Sequence, residues 1–239
     1  MIIGINGYAG SGKDTVGTII QYLQADTDLP LKGVLKKTAH HEWWLEERSG
    51  WEIKKWAGKL KDIASLLTGI PVKNFEDQEF KTSLLGPEWG TVTFNPLNSI
   101  PVFADMQFNH LITVREFLQR LGTDAIRDGL HTNAWVNALM AGYTPTQVQW
   151  ADGPIGGYKD GPMPNWIITD TRFPNEAQAI KDKGGIVIRV DRPGVKPIND
   201  HPSETGLDDW KFDYKIANIS DIKALSLSVR LILEKEKII

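Results

Sequence analysis

The chain has 239 residues, of which 41% are hydrophobic and 24% charged, as is typical of one globular domain or of one domain with insertions. Its formal net charge of -3 argues against a broad basic surface for polymeric nucleic acid. The absence of cysteine excludes disulfides, thiolate metal sites and cysteine nucleophiles. No stretch reaches the roughly 18 apolar residues of a membrane span, and the N-terminus lacks a targeting signal, so we expect a soluble protein without membrane contact.

The sequence opens with a strand, a glycine-rich turn and a helix. The apolar run 2–5 predicts a buried parallel strand, which Asn6 and Gly7 end. After the turn, apolar residues recur at the helical spacing i, i+3, i+4, i+7, at Val16, Ile19, Ile20 and Leu23. This pattern predicts an amphipathic first helix.

The segment 26–56 has a less regular pattern and contains several tryptophans. We interpret those between 43 and 56 as core or dimer contacts, with base stacking as the alternative, so a homodimer stays open. A helix is predicted from about 57 to 67, and Gly69 ends it. Residues 86–110 are predicted to form a long loop or a small hairpin.

A capping box formed by Thr113 and Glu116 predicts the start of another helix, and Gly122 is its predicted end. A further helix is predicted around 133–141. The segment 142–165 is rich in glycine and proline, and we therefore predict a loop there.

The last third of the chain again alternates strands with helices. Strands are predicted at 166–170, 186–190 and 214–217. One helix is predicted to begin at Pro174, and Ser220 is the predicted cap of the last helix. Strands that alternate with helices indicate a parallel sheet covered on both sides.

The turn after the first strand fits the phosphate-binding pattern G-x-x-x-x-G-K from Gly7 to Lys13. Its glycines let backbone amides surround a phosphate, and the helix N-terminus adds positive potential. We therefore predict an ATP-binding loop formed by Gly7, Gly10, Ser11, Gly12, Lys13, Asp14 and Thr15. Asp14 stands where the pattern usually has the serine or threonine that binds magnesium. It could hold Mg²⁺ directly, through water, or not at all.

A second candidate site follows the strand 166–170. An acid at the end of a parallel strand can organise Mg²⁺ or its water molecules, which makes Asp170 a candidate metal residue together with Asp14. Arg172 would reach the same crevice and contact a phosphate. The predicted catalytic residues are Lys13, Arg172 and Asp170.

Two further groups of cations are candidates for phosphate binding. One begins with Arg115 and Arg120 on the helix that follows Thr113 and continues with Asp124 and Arg127 after the predicted break at Gly122. The other lies in the loop after the strand 186–190, where Arg192 is the better candidate for a lid residue that binds ATP. Because Arg189 lies inside that strand, we predict a structural ion pair for it.

These motifs resemble the phage-type deoxynucleoside monophosphate kinases of the P-loop kinase superfamily. The resemblance covers nearly the whole chain in order and rests on Gly10-Ser11-Gly12-Lys13-Asp14-Thr15, residues 57–62, residues 118–124 with Trp135-Val136, residues 169–176, Arg192-Pro193-Gly194, and His201 with Ser203-Glu204. The segments 30–56 and 142–165 match nothing in the family pattern.

The resemblance implies a three-layer α/β/α P-loop kinase fold with a parallel five-stranded sheet. It implies a single domain with a core at about 1–28, 131–190 and 213–239, an acceptor-binding insertion at about 30–130 and a lid at about 191–212. It also implies transfer of phosphate from ATP to a deoxynucleoside monophosphate (dNMP) with Mg²⁺, in the host cytoplasm for a phage-encoded enzyme. The residues that would then face the acceptor are Lys61, Arg120, Asp124 and Arg127.

Two other interpretations of the sequence stay open. The chain could be another small-molecule P-loop kinase, for example one that acts on dephospho-coenzyme A or phosphomevalonate. It could also be a nucleotide-dependent binding switch, although a switch has less need for several convergent cations.

Overall fold

The computed structural model describes residues 1–36, 39–93, 107–150, 157–198 and 201–239. The chain divides into two units, of which unit 1 comprises Met1–Trp56 and Trp135–Ile239, and unit 2 comprises Ala57–Ala134. Residues 30–56 of the predicted insertion therefore belong to unit 1. Parts of the predicted insertion, the predicted 142–165 loop and the predicted lid lie outside the described residues, namely 37–38, 94–106, 151–156 and 199–200.

The strands are, in chain order, β1 (Ile2–Asn6), β2 (Trp51–Lys54), β3 (Thr91–Thr93), β4 (Gln107–His110), β5 (Gln147–Trp150), β6 (Gly157–Asp160), β7 (Asn165–Ile168), β8 (Ile186–Asp191) and β9 (Tyr214–Ala217). The α-helices are α1 (Lys13–Gln24), α2 (Leu31–Val34), α3 (Ala39–Ser49), α4 (Gly58–Thr68), α5 (Val114–Gln119), α6 (Ala134–Met140), α7 (Pro174–Asp182), α8 (Pro202–Thr205) and α9 (Ile222–Lys235). A π-helix, Arg120–Asp128, directly follows α5.

Unit 1 is built on a five-stranded sheet with the order β2-β7-β1-β8-β9. All neighbouring strands in this sheet are parallel, and Ile3 of β1 is paired with Ile167 of β7 and with Ile186 of β8. The carboxyl ends of parallel strands meet at one edge of a sheet. The loops that follow β1, β7, β8 and β9 therefore leave the sheet at the same edge.

Both faces of this sheet are buried. Ile3 and Ile5 pack in one apolar cluster with residues of α1 and α9, whereas Ile2 packs in a second cluster with residues of α6 and α7. Side chains alternate between the faces of a strand, so β1 supplies both clusters. The result is a helix layer on each face of a parallel sheet, which confirms the predicted α/β/α fold.

The strand β2 lies in the segment for which the sequence predicted no regular structure. Trp51, in β2, and Trp56, just after it, are both buried, in agreement with the predicted core role of these tryptophans. Trp43 differs from them, because 60% of it is exposed.

Unit 2 has its own apolar cluster, in which Phe75 and Val114 are buried together with Ala64 of α4. Helix α4 ends at Thr68, and Gly69 follows it as a C-cap in the left-handed conformation, so the glycine stops the helix as predicted. The predicted cap of α5 is present as well, since Thr113 Oγ1 accepts a hydrogen bond of 3.1 Å from the Glu116 amide.

Gly122 does not end this second helical segment, which continues as the π-helix. A Cβ atom at Gly122 would lie 2.8 Å from Leu60 Cδ2, so the glycine allows α4 and the π-helix to approach each other closely. Gly122 therefore serves close helix packing, and the prediction that it ends the helix was wrong.

The described residues also contain two antiparallel strand pairs outside the five-stranded sheet. Strands β3 and β4 form the hairpin alternative predicted for 86–110, whereas β5 and β6 pair within the segment predicted as a loop. The last helix is capped by Asp221 instead of Ser220, because Asp221 Oδ1 accepts a hydrogen bond of 2.9 Å from the Ala224 amide.

Candidate active site

The glycine-rich loop connects β1 to the N-terminus of α1. Gly7, Gly10 and Gly12 have positive φ angles of 155°, 84° and 100°. The Ser11 amide donates to the Tyr8 carbonyl oxygen at 3.1 Å, which closes a turn inside the loop. The first amides of a helix have no intrahelical acceptor, so this loop and the start of α1 offer donors to an anion.

The Ser11 hydroxyl is buried inside this loop. Within the described part of the chain it has no hydrogen-bond partner. A buried hydroxyl without a partner is unfavourable, which fits a loop whose hydrogen bonding is completed by a ligand such as the phosphates of ATP.

Two side chains donate hydrogen bonds to backbone carbonyl oxygens of the glycine-rich loop. Asn218 Nδ2 donates to the Ser11 carbonyl oxygen at 2.9 Å, and Arg192 Nη1 donates to that of Gly10 at 3.4 Å. The backbone of Asn218 is itself fixed, because its backbone amide donates to the Asp191 carbonyl oxygen at 2.7 Å. The sequence analysis missed Asn218, although its position directly after a strand at this edge of the sheet could have marked it.

Lys13 is the first residue of α1 and is buried, with 9% of its surface exposed. Its ammonium group donates to the Tyr8 carbonyl oxygen at 3.4 Å. Burial lowers the pKa of Lys13, and the positive charge of Arg172 lowers it further. Across the described residues, no carboxylate forms an ion pair with this ammonium group. The groups that raise its pKa through their charge are Asp14, Asp170 and Glu204.

The two acidic candidates are both anchored by hydrogen bonds. Asp14 is half-buried, and its Oδ1 accepts from the Thr169 hydroxyl at 2.8 Å. Asp170 Oδ1 accepts from the Trp56 amide at 2.8 Å. The charges of both carboxylates raise the pKa of Lys13, so the two predicted metal residues surround the same ammonium group.

The donor set fits Mg²⁺. This ion prefers oxygen ligands and is usually held by one or two carboxylates together with substrate phosphates and water. Asp14 and Asp170 supply two carboxylates near Lys13. Larger clusters of His, Asp and Glu are absent from the part of the chain that the structure describes.

Arg172 is held by an ion pair that the sequence analysis did not predict. Its Nη1 donates to Glu204 Oε1 at 2.8 Å and to the Ser203 carbonyl oxygen at 3.1 Å. Its backbone amide donates to Glu176 Oε2 at 2.8 Å. The side chain of Glu204 is only 3% exposed, so the guanidinium group is fixed by a buried acid.

The structural ion pair predicted for Arg189 is present. Arg189 donates to Asp191 at 2.8 Å and to Asp208 at 3.2 Å, and its guanidinium lies 4.5 Å from the ring centroid of Tyr8. Burial alone would lower the pKa of Arg189, but the hydrogen bond to Asp191 and the interaction with Tyr8 raise it. Because the Tyr8 hydroxyl also donates to Asp208 at 2.8 Å, this network supports the glycine-rich loop.

The predicted acceptor residues all lie in unit 2. Lys61 of α4 is buried and forms an ion pair with Glu76. Arg127 is also buried and donates to the Thr132 carbonyl oxygen at 3.3 Å. Arg120, which donates to Glu116 at 2.6 Å, and Asp124 are exposed on the π-helix. The close packing of α4 on this π-helix brings the four residues onto two adjoining elements.

The parallel sheet, the glycine-rich loop and the lysine at the start of α1 together define the P-loop kinase fold. A family model described as deoxynucleotide monophosphate kinase matches residues 72–229. The chain belongs to this family, and the resemblance inferred from its motifs is confirmed.

Three viral proteins illustrate the relationship. A protein of Acanthamoeba polyphaga mimivirus, named as a candidate deoxynucleotide monophosphate kinase, is 34% identical over 119 residues, which are 46% of this chain and 56% of that protein. The deoxynucleoside-5'-monophosphate kinase of Escherichia phage T5 is 26% identical, with 96% of this chain and 94% of that protein covered. The deoxynucleotide monophosphate kinase of Enterobacteria phage T4 is also 26% identical, with 96% and 97% covered.

None of the helices in the described residues combines the length and the apolar composition needed to cross a bilayer.

Proposed function

We propose that this chain transfers the γ-phosphoryl group of ATP to a dNMP, which gives ADP and the deoxynucleoside diphosphate. The observation that carries the proposal is the burial of the Lys13 ammonium group at the N-terminal end of α1, directly after the glycine-rich loop. The charge of a second cation, Arg172, acts on this group. Such a cationic site is stabilised by a polyphosphate. The names of the T5 and T4 relatives support a dNMP as the acceptor.

The donor nucleotide is bound by the glycine-rich loop. Its backbone amides and Lys13 hold the β- and γ-phosphates, and Arg192, which contacts the loop at Gly10, adds positive charge. Asp14 and Asp170 would hold Mg²⁺, which shields the phosphate charge when it is bound.

Transfer is a direct in-line displacement without a covalent enzyme intermediate. The bond between the γ-phosphorus and the bridging oxygen breaks as an oxygen of the acceptor phosphate forms its bond to the same phosphorus. Arg172 and Arg192 neutralise charge on the phosphoryl oxygens during this step. The acceptor phosphate is already ionised near neutral pH, so the chain needs no strong general base.

The acceptor is bound by unit 2 through Lys61, Arg120, Asp124 and Arg127. The acceptor phosphate competes with Glu76 for Lys61, since the ammonium group of Lys61 is paired with that carboxylate in the present structure. Guanidinium groups bind phosphate in a bidentate manner, which suits Arg120 and Arg127. We place the enzyme in the cytoplasm of the infected host, with small-molecule nucleotides as its partners, in line with its phage relatives.

The test is ADP release from Mg·ATP with a panel of acceptors that contains dNMPs, ribonucleoside monophosphates, dephospho-coenzyme A and phosphomevalonate. We expect ADP release that depends on one or more dNMPs and that falls by orders of magnitude in Lys13→Ala. Release with dephospho-coenzyme A or phosphomevalonate alone would reassign the acceptor. ATP binding without transfer to any acceptor would overturn the proposal and favour a nucleotide-dependent switch.

A further inference from the structure

Glu204 is a buried acid close to Lys13 for which the proposed reaction has no role so far. Its side chain is 3% exposed, and it forms an ion pair of 2.8 Å with Arg172. Burying a carboxylate is unfavourable, and an ion pair with a partly exposed arginine only partly offsets that loss. An apolar side chain would fill the same volume without this penalty, so stability alone does not explain an acid at this position.

The segment that carries Glu204 is itself firmly anchored. His201 is the N-cap of α8, and its Nδ1 accepts a hydrogen bond of 3.1 Å from the Ser203 backbone amide. Leu207, just after α8, is 1% exposed and belongs to the apolar cluster that also contains Ile168. Glu204 therefore approaches Arg172 from an element that is packed on the sheet.

Among the described residues, Arg172 is fixed through one of its three guanidinium nitrogens. Both side-chain hydrogen bonds, to Glu204 and to the Ser203 carbonyl oxygen, come from Nη1. In the described part of the chain, Nε and Nη2 of Arg172 donate to no acceptor. A guanidinium has five donor hydrogens in a rigid plane, so fixing one nitrogen orients the remaining donors as well.

The location of this fixed plane matters for the reaction. Asn6, at the end of β1 where the glycine-rich loop begins, donates through Nδ2 to the Thr171 carbonyl oxygen at 2.8 Å, which fixes the backbone just before Arg172 next to the loop. The charges of Arg172 and Glu204 both act on Lys13, in agreement with this location. Arg172 comes after β7, and its amide is held by Glu176 at the start of α7, so backbone and side chain are fixed from two different elements.

We propose that Glu204 is a positioning residue for phosphoryl transfer: it holds Arg172 Nη1 so that Nε and Nη2 are aimed at the phosphoryl group as it moves. The inference rests on the proposed function. Glu204 touches neither substrate and acts only through Arg172. It also explains why part of the segment predicted as a lid carries an acid where a phosphate-binding lid would carry cations.

The test is a double-mutant cycle with Glu204→Gln, Arg172→Met and the double variant, assayed for kcat and for the KM of ATP. The glutamine keeps an acceptor of similar size but removes the charge. We expect kcat to fall by about 10²-fold in Glu204→Gln, the loss that small misplacements of a catalytic group produce, with the KM of ATP within about 3-fold. In the Arg172→Met background, Glu204→Gln should change kcat by less than about 3-fold.

A residue that merely stabilises the fold would behave differently. Equal losses of kcat in both backgrounds, or no loss in either, would overturn the inference. Melting temperatures identify any variant that does not fold, and Glu204→Asp, which keeps the charge but shortens the side chain, replaces Glu204→Gln in the cycle in that case. The same outcomes then apply.

Asp213→Asn is the matched control. Asp213 pairs with Lys181 at 2.7 Å and accepts from the Val187 amide at 2.8 Å, near the start of β8 and away from the loop edge. The Asp213→Asn substitution should lower the melting temperature and leave kcat unchanged. Wild-type protein that transfers phosphate to no acceptor would overturn the proposed function itself, a result distinct from an active wild type with additive variants.

Discussion

At Lys13 the native state holds an ammonium group in surroundings that disfavour its charge. Burial and the charge of Arg172 lower its pKa below the ordinary value of 10.5. A lowered pKa means that the protonated group destabilises the folded chain. This destabilisation is fully present below the folded-state pKa and is relieved as the pH rises towards 10.5. Wherever Lys13 is protonated, the folded chain therefore carries this charge at the expense of stability.

The first prediction follows from the destabilising effect of the protonated Lys13 side chain. Lys13→Met, which removes the charge but keeps much of the apolar side chain, should raise the melting temperature at pH 7 by about 2–4 °C, the shift that corresponds to 1 kcal/mol in a chain of this size. At the same pH, dNMP-dependent ADP release should fall by about 10²–10³-fold, as it does when a donor to a transition-state oxygen is lost. Calorimetry and the ADP assay measure the two effects.

A control for this prediction is the pH dependence of stability. Urea unfolding at pH 7 and pH 10 should show a smaller difference between Lys13→Met and wild type at the higher pH, since the wild-type penalty is then partly relieved. A variant that is less stable than wild type at pH 7 would show that the ammonium group stabilises the fold.

A second prediction concerns Asp14, which stands in place of the usual magnesium-binding hydroxyl. Asp14→Asn keeps an acceptor for the Thr169 hydroxyl, now 2.8 Å from the carboxylate, but removes the charge. The Mg²⁺ concentration for half-maximal activity should rise by about 10-fold, within the range seen when a metal site loses a supporting group. Titration of Mg²⁺ at constant ATP measures it. An unchanged midpoint would assign the metal role to Asp170 alone.

At the scale of elements, the glycine-rich loop depends on two glycines for different reasons. Gly10 has a φ of 84°, and a Cβ there would meet nothing within 4 Å. Gly7 has a φ of 155°, and a Cβ there would lie 2.6 Å from the Val190 carbonyl oxygen and 2.4 Å from Ser11 Oγ. Both φ angles disfavour a residue with a side chain, but of these two positions only Gly7 would also place a Cβ against a backbone atom, the Val190 carbonyl oxygen.

The third prediction is therefore a difference between two alanine variants. Gly10→Ala should lower stability by about 1–2 kcal/mol, which is the strain of a left-handed residue. Gly7→Ala should lower it by a further 1–3 kcal/mol or so, because the loop must shift away from β8. Urea unfolding compares the two, and equal losses would show that the loop adapts freely to the added Cβ.

The elements that were predicted well are those whose own residues determine them. The apolar run of β1, the stripe of α1 and the Thr113 cap of α5 are local patterns, and each appears in the structure. The edge strand β2 was missed because it is short, pairs only with β7, and lacks the continuous apolar run of a buried strand. The π-helix was missed because Gly122 serves the close packing of Leu60.

The site was only partly predictable for the same reason. Lys13 lies in a motif with fixed spacing, and Asp170 and Arg172 follow a strand whose end faces the same edge of the sheet. Partners contributed by distant segments, such as Glu204 for Arg172 and Asn218 for Ser11, carry no local signal. They are brought to the loop by the crossover connections of the sheet.

For the whole molecule, the two units give the proposed substrates separate binding elements. The glycine-rich loop, Lys13, Asp170 and Arg172 belong to unit 1, whereas the proposed acceptor residues belong to unit 2. Each unit has an apolar cluster of its own, so a ligand can protect one unit without ordering the other.

The fourth prediction tests this division by amide hydrogen exchange. At a concentration of 100 times the dissociation constant, a ligand stabilises the state that binds it by about 2.7 kcal/mol, which slows exchange by about 10²-fold in the amides it protects. Mg·ATP should protect amides of β1, the glycine-rich loop and α1, and a dNMP should protect those of α4 and the π-helix. In Lys13→Ala, the ATP effect should weaken while the dNMP effect persists, because that substitution alters unit 1 alone. Protection of unit 1 by the dNMP without any protection of α4 or the π-helix would contradict the assignment of Lys61, Arg120, Asp124 and Arg127 to the acceptor.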